Sequence, residues 1–360
     1  MLAVGFFVSC SSSKFSVDNL LEEMQYEQAI DNINAEISKN PSAKLYFQKG
    51  TIYGSIAKKT DVLQRTAAYE NMSSSLDSAL VYSESSNETL VSKIDSTRND
   101  YWNLEYKSGL KAYQNDEINS SIAIAHFENA IQISPLQIEN YISLSIAEYN
   151  DNDIDAAIST LKKAELIDSS NSKIHESLGF LFLEKGDPQN SVKSYLKANQ
   201  NPIKDKNIAY GLVNAYISQG LTTQAISFLE QLVSEYPNDP NLNNVLGSQL
   251  FNQVNGLFDD LIVAYSNNDS TAAVNLKVEV EGVSEQAENQ LIEAYQKSPA
   301  STQYIESLAV FYNNMAGNYF SMFDVIFEED QSYIKQTALE LTNFAIDYYN
   351  KLSNINSSND

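Results

Sequence analysis

Apolar residues in this chain recur at intervals of three and four. Leu250, Val254, Leu257, Leu261 and Tyr265 form one run, and Ala273, Leu276, Val280, Val283, Ala287, Leu291 and Ala294 form another. That spacing places each run on one face of an α-helix. The residues between them, Ser266-Asn267-Asn268-Asp269-Ser270, carry a turn signal. Lys277 to Glu281 also alternates as a strand would, but the helical spacing continues on both sides and decides for helix. A second pair of stripes follows: Leu308, Tyr312, Met315 and Tyr319, then Ile334, Ala338, Leu341, Ala345 and Tyr348. Further upstream, Ser85 to Glu88 reads as a capping box that opens a long helix through Trp102 towards Tyr113.

A longer period overlies the helical one. In steps of 34, Leu144, Leu178, Leu212 and Leu246 fall in register, as do Asn152, Gly186 and Gly220. So do Ala157, Ser191 and Ala225; Leu161, Tyr195 and Leu229; and Ala164, Ala198 and Leu232. Each column has a physical cause. Gly179 and the small residues Ala157, Ala198 and Ala225 let two helices approach closely, while Leu161, Tyr195 and Leu229 fill the gap to the next unit. Gly186 and Gly220 supply turns in which a positive φ costs glycine nothing, and Pro237 ends a helix.

These columns resemble the tetratricopeptide repeat, whose pattern runs Leu-Gly, Tyr, Ala, a large residue, Ala, Pro over 34 residues. The clearest copy is Leu178-Gly179, Phe182, Gly186-Asp187, Ser191, Tyr195, Ala198 and Pro202. Degenerate copies surround it: Ala123, Phe127, Ala130 and Pro135; Ala29, Ile33 and Pro41; Gly50 and Tyr53 with Ala68 and Met72. The resemblance implies an all-α fold, an α-solenoid of stacked helix pairs forming a superhelix, with elongated helical hairpins towards the C-terminus. Gly247 and Ala287 lie 40 residues apart where the repeat expects about 12, so about 28 residues are extra. Two helices lengthened by about 14 residues each would project roughly 20 Å beyond their neighbours. The organisation read from the chain is therefore degenerate helices at 18–83, a long helix and degenerate repeat at 84–137, clear repeats at 138–239, a repeat with a long hairpin at 240–300, a final hairpin at 301–352 and a disordered tail at 353–360.

The first residues resemble a bacterial lipoprotein signal. Leu2 to Val8 is an apolar stretch, and Phe7-Val8-Ser9-Cys10 places a small residue before the only cysteine. The resemblance implies a signal peptide at 1–9, lipidation of Cys10, a Ser-rich tether at 10–17 and a protein held in the bacterial cell envelope, at an outer membrane facing the periplasm. The lipid would be the chain's sole membrane contact, since no run of 18 apolar residues occurs.

Composition narrows the chemistry. With 23 Lys and Arg against 47 Asp and Glu the formal charge is −24, which argues against nucleic-acid binding. One Cys and two His leave little for metal or acid–base chemistry, and neither a phosphate-binding glycine loop nor a Gly-x-Ser-x-Gly elbow is present. His126 and His175 read as packing or surface residues, Trp102 as a packing residue and Glu328-Glu329-Asp330 as a solvated turn. No catalytic residue, metal or cofactor is expected, and the chain is not expected to be an enzyme.

In the tetratricopeptide family the first helix of each repeat lines a concave groove that grips a polypeptide. Carried over residue by residue, the groove positions are Glu139, Ile142, Ile146, Tyr149 and Asn150; Lys173, Glu176, Phe180, Leu183 and Glu184; Asn207, Tyr210, Asn214 and Ile217; and Asn244, Ser248, Phe251 and Asn252. Tyr149, Phe180, Tyr210 and Phe251 would be the apolar anchors, with asparagine amides pairing to a peptide backbone. The groove could equally be filled by the protein's own extra helices. Three functions fit: a membrane-anchored scaffold for envelope protein assembly, a subunit like the lipoproteins of outer-membrane β-barrel assembly machines, or a solute- or transporter-associated lipoprotein.

Overall fold

The computed structural model describes residues 25–83, 88–114 and 120–359. They form α-helices joined by short turns, with three 3₁₀ segments and no strand among the described residues. The chain divides into two compact units, with the boundary between Leu181 and Phe182.

The first unit holds α1 (Tyr26–Lys39), α2 (Ala43–Lys59), α3 (Thr66–Val81), α4 (Glu88–Gln114), α5 (Ser120–Ile133), α6 (Ile138–Asn150) and α7 (Ile154–Ile167), and it ends within α8 (Ser172–Glu184). Helix pairs α2/α3, α4/α5 and α6/α7 pack as hairpins. Ala57, Tyr69, Met72, Leu76, Ala79 and Ile94 are buried in one core, Ala29, Ile33 and Ile52 in another, and Ala123, Phe127, Leu144 and Ala147 in a third. A Cβ on Gly50 would lie 2.9 Å from Leu76 Cδ2, so α2 and α3 need glycine to meet this closely.

Length is the unusual feature of α4, which has 27 residues, and a polar cluster fixes it in place. The Glu105 side chain is wholly buried. It accepts hydrogen bonds from Arg65 Nη1 (2.9 Å) and Tyr69 Oη (2.6 Å), and its other oxygen lies 2.6 Å from His126 Nδ1. Burial alone would raise this carboxyl, but the contacts with His126, Tyr69 and Arg65 outweigh it and hold Glu105 below its ordinary range. Trp102, stacked on Tyr106 at 5.1 Å, donates to Asn140 Oδ1 at 2.8 Å and joins α4 to α6.

The second unit continues with α9 (Pro188–Ala198), α10 (Lys206–Ser218), α11 (Thr222–Glu235), α12 (Pro240–Ser266), α13 (Ser270–Lys297), α14 (Thr302–Ser321) and α15 (Gln331–Asn359). The 34-residue period is visible in where helices begin: Ile138, Ser172, Lys206 and Pro240, and likewise Ile154, Pro188 and Thr222. The turn column behaves as its residues require. Asn152, Gly186 and Gly220 all have positive φ, at 64°, 79° and 74°. Asn268, in the turn of the long hairpin, has φ 55°.

Helices α12 and α13 are 27 and 28 residues long and form the elongated hairpin. A Cβ on Gly247 would stand 2.7 Å from Leu291 Cγ and 3.0 Å from the Ala287 carbonyl oxygen, so the two halves of the interrupted repeat do meet. The hairpin does not project free of its neighbours as its length alone implies. Phe258 packs on Tyr319 and Tyr265 on Phe327. Near the tip, Asp330 accepts from Tyr265 Oη and Lys277 Nζ, each at 3.2 Å. The apolar stripe of α12 needs a partner along its whole length, and the final hairpin supplies one. Asp330 is thus half-buried and paired, where a solvated turn is expected. The last helix also runs to Asn359, past the Asn- and Ser-rich point at Ser353 where composition predicts disorder.

Part of the negative charge serves helix starts. Asp153, Asp187, Asp205, Asp239 and Asp269 each accept a backbone N–H as N-cap of the helix that follows.

Candidate partner-binding surface

The predicted groove positions lie on α6, α8, α10 and α12. On α6, Glu139, Ile146 and Asn150 are exposed and Ile142 and Tyr149 half-buried. Phe180 on α8 is 41 % exposed, and its ring meets that of Tyr149 edge-on at 5.3 Å. The structure therefore brings these two anchors together, from sequence positions about one repeat apart. Asn150 donates to Tyr113 Oη of α4 at 3.0 Å, so that amide is already engaged on one side. Lys173 is exposed at the start of α8, and Glu184 is exposed at its end.

In the second unit the anchors are more constrained. Tyr210 is half-buried and donates to Asp239 Oδ2 at 2.8 Å; burial and that carboxylate push its hydroxyl up to about 12. Lys206 Nζ pairs with the same carboxylate at 2.6 Å and lies 5.9 Å from the centre of the Tyr210 ring. Asn207 and Asn214 are exposed on α10. Phe251 is 9 % exposed and packs edge-on against Phe311 of α14 at 5.3 Å. It is not an open anchor. It forms the floor of a cleft of about 460 Å³ between α12 and α14, walled by Ser248, Asn252, Asn255, Gln303, Val310 and Asn314. The extra helices thus partly fill this stretch of the expected groove while creating a narrower cleft.

The α14 side of that cleft escapes the sequence reading. Gln303, Ser307, Val310 and Asn314 follow helical spacing on the face away from the buried stripe of Leu308, Tyr312, Met315 and Tyr319, a signal present in the chain. Cys10 lies outside the described residues, as do the signal peptide, the tether and Ser85 to Asn87 of the capping box. Among the described residues no helix is long and apolar enough to cross a membrane, and no cluster of His, Cys, Asp and Glu could hold a metal ion.

Helix hairpins repeated every 34 residues, with small residues at their closest approaches, define an α-helical repeat protein. Within it, residues 209–239 match the family model described as "Tetratricopeptide repeat". No curated protein matches the chain. Among solved structures it is similar to PilW, described as a widely conserved type IV pilus biogenesis factor, at 14 % identity over 70 % of this chain and 91 % of that one, with TM-score 0.45. It is also similar to YrrB, described as a TPR protein with an unusual peptide-binding site, at 18 % identity over 62 % and 91 %, with TM-score 0.41. A third similarity is to the C-terminal part of a TPR repeat-containing protein from Cytophaga hutchinsonii, at 15 % identity over 81 % and 98 %, with TM-score 0.39.

Proposed function

We propose that the protein is an interaction scaffold of the bacterial cell envelope that takes a polypeptide partner on the first-helix faces of its repeats. The observation that carries this reading is the cleft between α12 and α14. Its floor is two aromatic rings, Phe251 and Phe311, and its walls present the amides of Asn252, Asn255, Gln303 and Asn314. Rings cover a partner's apolar side chains, and amides donate to and accept from its backbone without demanding a charged sequence. The exposed Tyr149–Phe180 pair offers a second apolar contact of the same kind. Support for the envelope comes from Phe7-Val8-Ser9-Cys10, in which the only cysteine stands where a lipid would be attached. Two or more acyl chains anchor a protein stably where one is marginal.

The test is site-specific photocrosslinking from positions 180 and 303 in native cells, repeated with Val310→Asp. Val310 is 40 % exposed, so the variant keeps its fold. The expected result is a crosslinked polypeptide at both positions, lost from the cleft in Val310→Asp with the helical circular dichroism unchanged. Crosslinks that persist unaltered contradict the cleft assignment. Cys10→Ala tests the anchor separately: the protein should leave the membrane fraction, and retention there contradicts lipidation.

A further inference from the structure

A second cavity lies in the first unit, on side chains that the groove reading does not use. Its volume is about 270 Å³, and it is bounded by α3 (Thr66), α5 (Glu128, Ile131), α6 (Tyr141, Leu144, Glu148) and α7 (Thr160, Lys163). Tyr141, Leu144 and Glu148 stand at positions i, i+3 and i+7 of α6, one face of that helix, and the groove residues Glu139, Ile142, Ile146, Tyr149 and Asn150 occupy the opposite one.

The chemistry of this cavity is unbalanced. Glu148 Oε1 accepts from the buried Thr160 hydroxyl at 3.1 Å, but Oε2 is buried with no hydrogen-bond partner in the protein. Glu128 adds a second carboxylate at the rim. Lys163 lies close enough to influence both, yet among the described residues it forms an ion pair with neither. Two carboxylates and one ammonium leave the cavity one positive charge short of neutrality. Loss of water raises Glu148 above its ordinary range, as it does Glu128, the direction expected of a carboxylate that lacks a counter-charge.

We propose that this cavity is a binding site for the guanidinium group of an arginine side chain carried by a polypeptide partner. Ile131, Leu144 and the Tyr141 ring would cover the aliphatic stem, and the planar head would donate to the carboxylates of Glu148 and Glu128, with the Glu148 side chain turning to meet it. Arginine suits the site better than lysine because its head is planar, more weakly hydrated and able to address two carboxylates at once. The volume is below that of a typical small-molecule pocket and matches one side chain. The site is independent of the groove reading and stands or falls without it.

The test titrates the full chain with N-acetyl-arginine-amide, N-acetyl-citrulline-amide and N-acetyl-lysine-amide by calorimetry and by NMR of labelled protein. The arginine compound should bind saturably and perturb resonances of α5, α6 and α7, and the neutral citrulline isostere should not bind. Glu148→Gln should weaken binding about tenfold or more, the loss expected when a buried charged hydrogen bond is removed. Glu128→Gln at the exposed rim should weaken it by a smaller factor, and it serves as the second variant should Glu148→Gln perturb the fold. Citrulline binding as tightly as arginine, unchanged affinity in both variants, or no binding of the arginine compound would overturn the proposal. Equal binding of the lysine compound would overturn the assignment to arginine.

Discussion

Glu105 and Glu148 are two carboxylates in the same unit, each carried into the interior by a helix, and their surroundings differ sharply. Glu105 has a partner for both oxygens: Arg65 and Tyr69 at the start of α3, and His126 on α5. Glu148 has one hydroxyl on one oxygen and none on the other. The first is held below its ordinary range by its partners, and the second is pushed above it by burial. A buried charge with a complete set of partners belongs to the fold. A buried charge with a missing partner beside a cavity is a cost that folding alone does not explain.

That contrast can be broken or sharpened by substitution. The largest effect should come from Glu105→Gln. It leaves the Arg65 guanidinium, 19 % exposed, without its counter-charge, and breaking such a pair typically costs about 3 kcal/mol. Urea unfolding would measure it, and a loss within error of zero would mean that the cluster is incidental. His126→Gln removes one contact and leaves Glu105 charged and twice bonded, so its expected cost is smaller, about 1–2 kcal/mol. Glu148→Gln should act in the opposite direction. Removing an under-partnered charge while keeping the shape should stabilise by roughly 1 kcal/mol at neutral pH. The arginine compound should raise the melting temperature of the wild type but leave that of Glu148→Gln almost unmoved.

Acid should collapse both differences, for opposite reasons. The folded-state value of Glu105 is lowered, so its contribution is full above the unfolded value of about 4.3 and is lost as pH falls through the folded value. Glu148 is raised, so its penalty is absent below the unfolded value and grows as pH climbs through the folded one.

Much of the fold can be read from the chain because its causes are local or periodic. The 34-residue interval fixes the helix starts, and Asn152, Gly186 and Gly220 mark turns by their tolerance of positive φ. Even the interrupted repeat is legible, since Gly247 and Leu291 still meet across the inserted residues. Polar contacts between distant helices are not. Glu105 meets Arg65 40 residues away and Tyr69 36 away, spacings that match no repeat column, because α4 is twice the usual length. The groove positions fall on the first helices of their repeats, but their exposure depends on what packs opposite. Phe180 stays open, while Phe251 is covered by Phe311 from the last hairpin, whose mate is not encoded near it. The Glu148 cavity needs four helices at once, and no single stretch of sequence displays it.

The most direct test of the account is to measure the urea midpoints of the wild type, Glu105→Gln and Glu148→Gln side by side from neutral pH down into the acid range. Glu105→Gln should lie below the wild type and Glu148→Gln above it at neutral pH, with both differences shrinking towards zero as pH falls below about 4. A Glu148→Gln midpoint below the wild type at neutral pH would contradict this, because that carboxylate would then be stabilising the fold and not waiting for a partner's charge.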